Sequence, residues 1–191
     1  ALKVGRHPTG SKAAMSHTGA LVGADDVFAA ALQRAGVVRG LRIGDLFSAA
    51  TTLTSGFRAR GERLAIVTNG GGPGVMATDR ATDFGIPLAQ LAGSTLEELD
   101  GVLPATWSHG NPVDVIGDAT PERYTAAVDA CMRDPGVDGL LVVLTPQAMT
   151  DPVAVADAMI EVAGRHPKPL LTCWMGQVQV DAARQRMRRA G

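Results

Sequence analysis

Two short stretches of this chain carry residue types that could do chemistry. The first is Ser16-His17-Thr18-Gly19, a histidine set among small polar residues and a glycine. A neutral imidazole can act as a nucleophile through one ring nitrogen when a hydrogen bond holds the other. The second is Asn69-Gly70-Gly71-Gly72-Pro73-Gly74, which follows the apolar run Leu64 to Val67. A strand that runs into a glycine turn and then a helix gathers backbone N–H groups and the positive end of a helix dipole at one point. Such a point attracts an anion, most often phosphate, and Pro73 suits it because a missing N–H costs nothing in the first helical turn.

Both stretches have plainer alternatives. His17 could be a loop histidine that bonds a backbone carbonyl, and the glycines could serve only to let a strand and a helix pack closely. Gly72, Gly74 and Ala77 also satisfy the G-x-G-x-x-A pattern of a dinucleotide site. That pattern expects an acidic residue about 20 positions on, at the end of the next strand. Here the next strand ends at Gln90-Leu91-Ala92, with no carboxylate until Glu97. A Walker phosphate loop is excluded, since no Lys-Ser or Lys-Thr follows the glycines. The remaining histidines, His7, His109 and His166, read as surface or capping residues.

The elements that must position these stretches are legible from periodicity. Val27, Phe28, Ala31, Leu32 and Ala35 recur at helical spacing from Asp25 and stop at Gly36, and a second helix runs from Asp45 to Ser55-Gly56. The Arg- and Gly-rich segment Phe57 to Glu62 is the candidate domain boundary, dividing the chain into 1–58 and 59–191. Beyond it, apolar runs at 64–67, Ile86 to Leu91, 140–144 and Leu170 to Trp174 read as buried parallel strands. Between them come a helix carrying Val75, Met76, Ala81 and Phe84, and further helices over Thr95 to Leu103, Pro121 to Arg133 and Pro152 to Ala163. The last of these is capped by Thr150 or Asp151, and a final helix spans Val178 to Ala190. This alternation predicts an α/β fold with a doubly wound parallel sheet, whose ligands bind beyond the carboxyl ends of the strands. The loops to watch are therefore Asn69 to Gly74, Thr145 to Asp151, and Gly176 onward. Ala1 to Gly5 reads as the end of a strand, so the sequence is expected to be cut from something larger.

Composition agrees with that class and narrows the partners. Of 191 residues, 46% are hydrophobic but only 4% aromatic, so the core must be built from Ala, Val, Leu and Ile. A net charge of −1 gives no drive towards nucleic acid or an anionic membrane surface. Arg184, Arg186, Arg188 and Arg189 fall in the last turns of a helix and read as a solvated face. Cys131 and Cys173 have no metal-like spacing and read as buried free thiols of a reducing compartment. No apolar run reaches the length of a membrane span and no signal pattern opens the chain, so the expected location is cytoplasmic.

Several motifs in order resemble the nucleoside-diphosphate-forming (ADP-forming) acyl-CoA synthetases, the group that includes succinyl-CoA synthetase. They are Lys3-Val4-Gly5-Arg6, Ala13 to Leu21 with Ser16-His17-Thr18-Gly19, Asn69 to Gly74, Asn111-Pro112-Val113-Asp114, and Gly117 to Tyr124. The resemblance covers essentially the whole chain. It implies a flavodoxin-like, succinyl-CoA-synthetase-like domain over 59–191, preceded in 1–58 by the end of a second similar domain that carries the histidine. It also implies that His17 is transiently phosphorylated and that Asn69, Gly70, Gly71, Gly72 and Gly74 bind the phosphoryl group. Ser16, Thr18, Asn111 and Asp114 would shape the same site, although an Asn-Pro turn with a structural Asp reads equally well. The family uses CoA, ATP or ADP, and Mg²⁺, bound by a Rossmann CoA-binding domain and an ATP-grasp domain outside these residues. No cofactor is expected to be held tightly by this chain alone, no metal site is expected within it, and a homo-oligomer or a pairing with another domain is expected. In some relatives a ligase-like module is fused to a GNAT-type lysine acetyltransferase and serves to sense CoA. That regulatory reading is the alternative to a working ligase.

Overall fold

The structure is a computed structural model, and it describes residues 1–19, 21–54 and 60–191. The chain divides into two compact units, Ala1–Phe57 and Arg58–Gly191. The helix end expected at Ser55-Gly56, most of the segment expected to join the units, and the 58/59 boundary lie outside the described residues.

The second unit is a four-stranded parallel sheet in the order β2-β1-β3-β4, made of β1 (Leu64–Thr68), β2 (Val113–Asp114), β3 (Gly139–Leu144) and β4 (Leu170–Trp174). This is the flavodoxin-like doubly wound order. Its helices are α4 (Gly71–Asp83), α5 (Gly93–Val102), α6 (Pro121–Arg133), α7 (Pro152–Arg165) and α8 (Val178–Ala190). Right-handed crossovers leave β1 in one direction and β2 in the other, which puts α4 and α6 on opposite faces. On the α6 face, Ala65, Val67, Leu140, Val142 and Leu144 pack against Tyr124, Val128, Met159 and Val162, all wholly buried. Asp151 caps α7 by accepting from the Val153 and Ala154 N–H groups at 2.8 and 3.2 Å. Thr150 instead turns inward and donates to the Ala119 carbonyl at 3.0 Å.

The strand expected over Ile86 to Leu91 is reduced to a single bridge, Leu64 to Leu88. Pro87 has no N–H to extend a ladder, and the chain leaves the sheet to form α5. It returns as β2, in a stretch expected to be a loop, and pairs Val67 with Val113 and Thr68 with Asp114. Asn111 fills the gap between the two pieces. Its Oδ1 accepts from the Ile66 N–H, and its Nδ2 donates to the carbonyls of Leu64 and Ala89, each at 2.9 Å. One carboxamide thus satisfies main-chain groups that a continuous second strand would otherwise pair. Asn111 is therefore a structural residue of the sheet.

Cys131 is buried on α6, and burial pushes its thiol up to about 12. Cys173 is exposed, contrary to expectation, because β4 is the last strand of the described sheet. Arg186 pairs with Asp157 of α7, and Arg184 donates to the Trp174 carbonyl, so part of the basic run is tied to the fold. Among the described residues no helix is long and apolar enough to cross a membrane.

The first unit holds a parallel bridge between Leu2 and Gly40 and three helices, α1 (Pro8–Thr18), α2 (Asp25–Arg34) and α3 (Ile43–Thr54). Arg39 clasps Asp25 at 2.6 and 2.8 Å, and that guanidinium holds the Asp25 carboxyl below the usual carboxylate range. Asp45 accepts from the Leu41 and Arg42 N–H groups at 3.0 Å and so fixes the entry to α3. Helix α1 was not expected. It starts with Pro8 and ends at Gly19, whose φ of 68° only glycine adopts without strain.

Candidate functional site

The glycine turn sits where β1 ends, at the carboxyl edge of the sheet. Asn69 is 2% exposed, and its side chain spans to the loop after β3. Its Nδ2 donates to the Thr145 carbonyl at 2.9 Å, while its Oδ1 accepts from the Thr145 N–H and hydroxyl at 2.8 Å. The Gly70 N–H donates to the Thr68 hydroxyl at 3.1 Å. Strand order reverses between β1 and β3, the place where such sheets bind ligands. Here the Asn69–Thr145 clamp ties the loop after β1 to the loop after β3 at the start of α4.

The glycines form the first turn of α4 rather than a loop ahead of it, and they are not equivalent. A Cβ on Gly70 would lie 3.1 Å from Thr145 Oγ1, and one on Gly74 would lie 3.0 Å from Thr68 Cγ2. A Cβ on Gly72 would meet nothing within 4 Å. Gly70 and Gly74 are thus demanded by packing, whereas Gly72 faces open space. Gly74 N–H already bonds the Gly70 carbonyl at 3.1 Å, and Pro73 has no N–H. No side chain caps this helix, so the N–H groups of Gly71 and Gly72 are the ones left to face an anion.

Asp114 stands next to them. Its Oδ1 accepts from the Ile116 N–H at 2.9 Å, and its Oδ2 lies 3.3 Å from the place a Gly71 Cβ would occupy. Ile116 has φ of 68°, a left-handed conformation that costs a β-branched residue about 1–3 kcal/mol. The Asp114 carboxylate helps hold that strained turn, which places Gly117 beside Asn69 and Gln147. Tyr124 lies beneath with its hydroxyl donating to the Val143 carbonyl at 3.3 Å, and burial raises its pKa well above the ordinary phenol value. Thr68, Thr145 and Ile116 were not singled out from the sequence. Thr145 did fall within a loop that strand alternation marked as informative, whereas nothing in the residue types signals the Ile116 backbone.

His17 lies in the other unit, in the last turn of α1, exposed to solvent. It is therefore a helix residue and not the loop residue expected. Ser16 donates to the Ala13 carbonyl at 2.8 Å, and Thr18 is the last residue of the helix. The other histidines are placed as capping or surface residues. His7 precedes α1, His166 follows α7 as its C-cap and bonds Asp129 at 2.7 Å, and His109 packs at a tilt against Trp107 and bonds Asp100 at 2.9 Å. Among the described residues no group of three or more His, Cys, Asp or Glu side chains is gathered as metal ligands would be.

One unit is thus a flavodoxin-like sheet whose first strand feeds a glycine-started helix, and the other bears an exposed histidine, which defines a chain of the α/β class. Residues 1–53 match the family model of the succinyl-CoA ligase like flavodoxin domain, and residues 64–190 match that of the Ligase-CoA domain. The chain is 38% identical over 190 residues to acetate–CoA ligase [ADP-forming] I of Archaeoglobus fulgidus, covering 100% of this chain and 27% of that one. It is 42% identical over 201 residues to acetate–CoA ligase [ADP-forming] of Methanocaldococcus jannaschii, covering 100% and 28%. A solved dinucleotide-forming acetyl-coenzyme A synthetase of Ca. Korarchaeum cryptofilum, in complex with phosphate and ADP, superposes with a TM-score of 0.88. The two are 32% identical, and the match covers 97% of this chain and 42% of that one. The chain belongs to the ADP-forming acyl-CoA synthetase family with succinyl-CoA-ligase-like domains. It spans about a quarter of the length of the two ligases and under half of the solved chain.

Proposed function

We propose that this chain is the phosphoryl-carrying portion of an ADP-forming acyl-CoA synthetase, which joins an acid to CoA with ATP and yields acyl-CoA, ADP and phosphate. The observation that carries the reading is the first turn of α4, where Gly71 and Gly72 offer free N–H groups and Gly72 faces open space. Phosphate and ADP in the solved relative support the same chemistry.

His17 is the covalent carrier. In the direction that regenerates the nucleotide, the reverse of acyl-CoA synthesis, its unprotonated ring nitrogen attacks the phosphorus of an acyl phosphate, the N–P bond forms, and the P–O bond to the acyl group breaks. The carboxylate leaves with the electron pair, while the other ring nitrogen keeps its proton. Transfer onwards to a nucleoside diphosphate reverses these events at a different oxygen. Gly71 and Gly72 stabilise the phosphoryl charge, Asn69 holds their helix in place through Thr145, and Asp114 orders the neighbouring turn. CoA, nucleotide and Mg²⁺ belong to a CoA-binding domain and an ATP-grasp domain in the same protein or in a partner chain. The reaction belongs in the cytoplasm, and an oligomer would bring such domains together. The ligase relatives favour this reading over a CoA-sensing module of an acetyltransferase.

The test incubates the protein, together with its CoA- and nucleotide-binding domains, with ATP and Mg²⁺ and maps acid-labile, base-stable phosphate by mass spectrometry. Phosphate on His17, absent from His17→Ala, is expected. Acetyl-CoA binding without phosphorylation would overturn the carrier assignment and favour the regulatory module.

A further inference from the structure

The basic run on α8 is not one solvated face. Arg186 pairs with Asp157 of α7, whereas Arg184 and Arg188 line a cavity of about 310 Å³ beside β4, together with Thr172, Cys173, Trp174 and Met187. None of these six residues carries a negative charge. The two arginines are four positions apart, so they fall on one stripe of the helix, where like charges repel. Arg184 is half-buried and donates to the Trp174 carbonyl, which anchors it to the cavity wall and leaves most of its five N–H donors uncommitted. Arg188 is exposed and has no hydrogen bond or ion pair among the described residues. The one acid on α8, Asp181, accepts from Gln185 at 3.2 Å and does not line the cavity.

The remaining walls are apolar or soft. Trp174 is 3% exposed and so fixed in place, Met187 is half-buried, and Cys173 presents an exposed thiol. A guanidinium gives two parallel N–H bonds to the oxygens of a carboxylate or a phosphate, and binding one relieves the repulsion between neighbouring arginines. The cavity is at the small end of the range for ligand sites, which limits the guest to a few carbon atoms. We propose that this cavity binds a small organic oxyanion, with its charged head on Arg184 and Arg188 and its carbon part against Trp174 and Met187. The site shares no residue with the glycine turn and does not rest on the carrier reading.

Cys173 reports on the cavity from inside it. In the intact protein, with its other domains, alkylation of Cys173 is followed by peptide mass spectrometry with iodoacetate, an anion, and with iodoacetamide, which is neutral. The ratio of the two rates cancels how readily the thiol ionises. Relative to an unstructured cysteine peptide, that ratio is expected to be about 3- to 10-fold higher at Cys173, the range for two partly exposed ion pairs. Acetate, butyrate or inorganic phosphate should slow the iodoacetate reaction, compared with chloride at the same ionic strength so that screening is held constant. Slowing by the two carboxylates alone identifies a carboxylate site, and slowing by phosphate alone a phosphate site. Arg188→Gln should bring the ratio down to that of the peptide and remove the protection, while Arg189→Gln, on the same helix but outside the cavity, should change neither. A ratio equal to that of the peptide overturns the proposal, and so does protection that survives Arg188→Gln or is lost equally in Arg189→Gln. A Cys173 inert to both reagents shows the cavity filled by another part of the protein and overturns it too.

Discussion

Gly72 and Gly74 are two residues apart in one helical turn, yet what a side chain would meet at each separates binding from packing. Valine at Gly74 would press on Thr68 at 3.0 Å and on Pro112 at 3.5 Å. Overpacking of this kind costs about 1–3 kcal/mol, so Gly74→Val should lower the melting temperature and reduce activity roughly in step with folded protein. At Gly72 the added atoms meet nothing in the protein but cover the N–H groups proposed to hold phosphate. Gly72→Val should therefore leave stability within about 0.5 kcal/mol of the parent while cutting phosphoryl transfer by about tenfold or more. Parallel losses of melting temperature and activity at Gly72 would show that the turn matters for packing alone. His17→Ala belongs to the same comparison. An exposed side chain in the last helical turn can be removed with little effect on thermal unfolding, and turnover measured alongside should disappear. Turnover that survived would place the carrier elsewhere.

Between elements, Asp134 is the buried carboxylate with the most to lose. It follows α6 and accepts from the Ala92 N–H at 2.8 Å, just before α5, and from the Gly136 N–H at 2.6 Å. Burial works against the charge, but these N–H groups and the Thr95 hydroxyl outweigh it and hold the carboxyl below its usual range. A lowered value in the folded state adds stability in full above the unfolded value of about 3.9, and that stability is lost as pH falls through the lowered value. Asp134→Asn, with one acceptor oxygen for two N–H groups, should cost about 1–3 kcal/mol at neutral pH. It should also flatten the decline in stability below about pH 4, read by chemical denaturation across pH. An unchanged acid limb would show that Asp134 is not among the groups responsible. Sequence periodicity served well at this scale where an element has two environments. The helices at 121–133 and 178–190 were legible because an apolar face alternates with a wet one, and the strand at 170–174 because it is a short apolar run. Helix α1 was not, because its one large apolar residue, Met15, is 42% exposed and makes no stripe; only Pro8 and Gly19 marked its ends. β2 is two residues long, too short for any period, and the role of Asn111 could be read as a turn as easily as a mimic of a missing strand. The glycine turn between a strand end and a helix start was legible from its chain position. The open space at Gly72 and the contacts at Gly74 were not, since they depend on neighbours distant in sequence.

At the scale of the whole chain, the two units differ in what holds them. Among the described residues every buried hydrophobic side chain lies between Ala65 and Ala183, and none belongs to residues 1–54. The first unit instead exposes Leu21 by 91%, Phe47 by 69% and Leu53 by 64%. Conformational entropy of about 1–2 kcal/mol per ordered residue opposes folding everywhere, and only apolar burial on the scale of a domain core offsets it. A fragment of residues 60–191 should therefore fold alone and melt in a single cooperative transition, with the Trp107 and Trp174 environments changing together with backbone ellipticity. A fragment of residues 1–54 should show no cooperative transition, because its helices have no shared core to lose at once. The same asymmetry bears on the proposed chemistry. The glycine turn, which must present its N–H groups in a fixed direction, grows from a buried strand and is pinned by Asn69. The histidine proposed as carrier is an exposed residue of the last turn of α1. A cooperative melt of residues 1–54 by themselves would contradict this division.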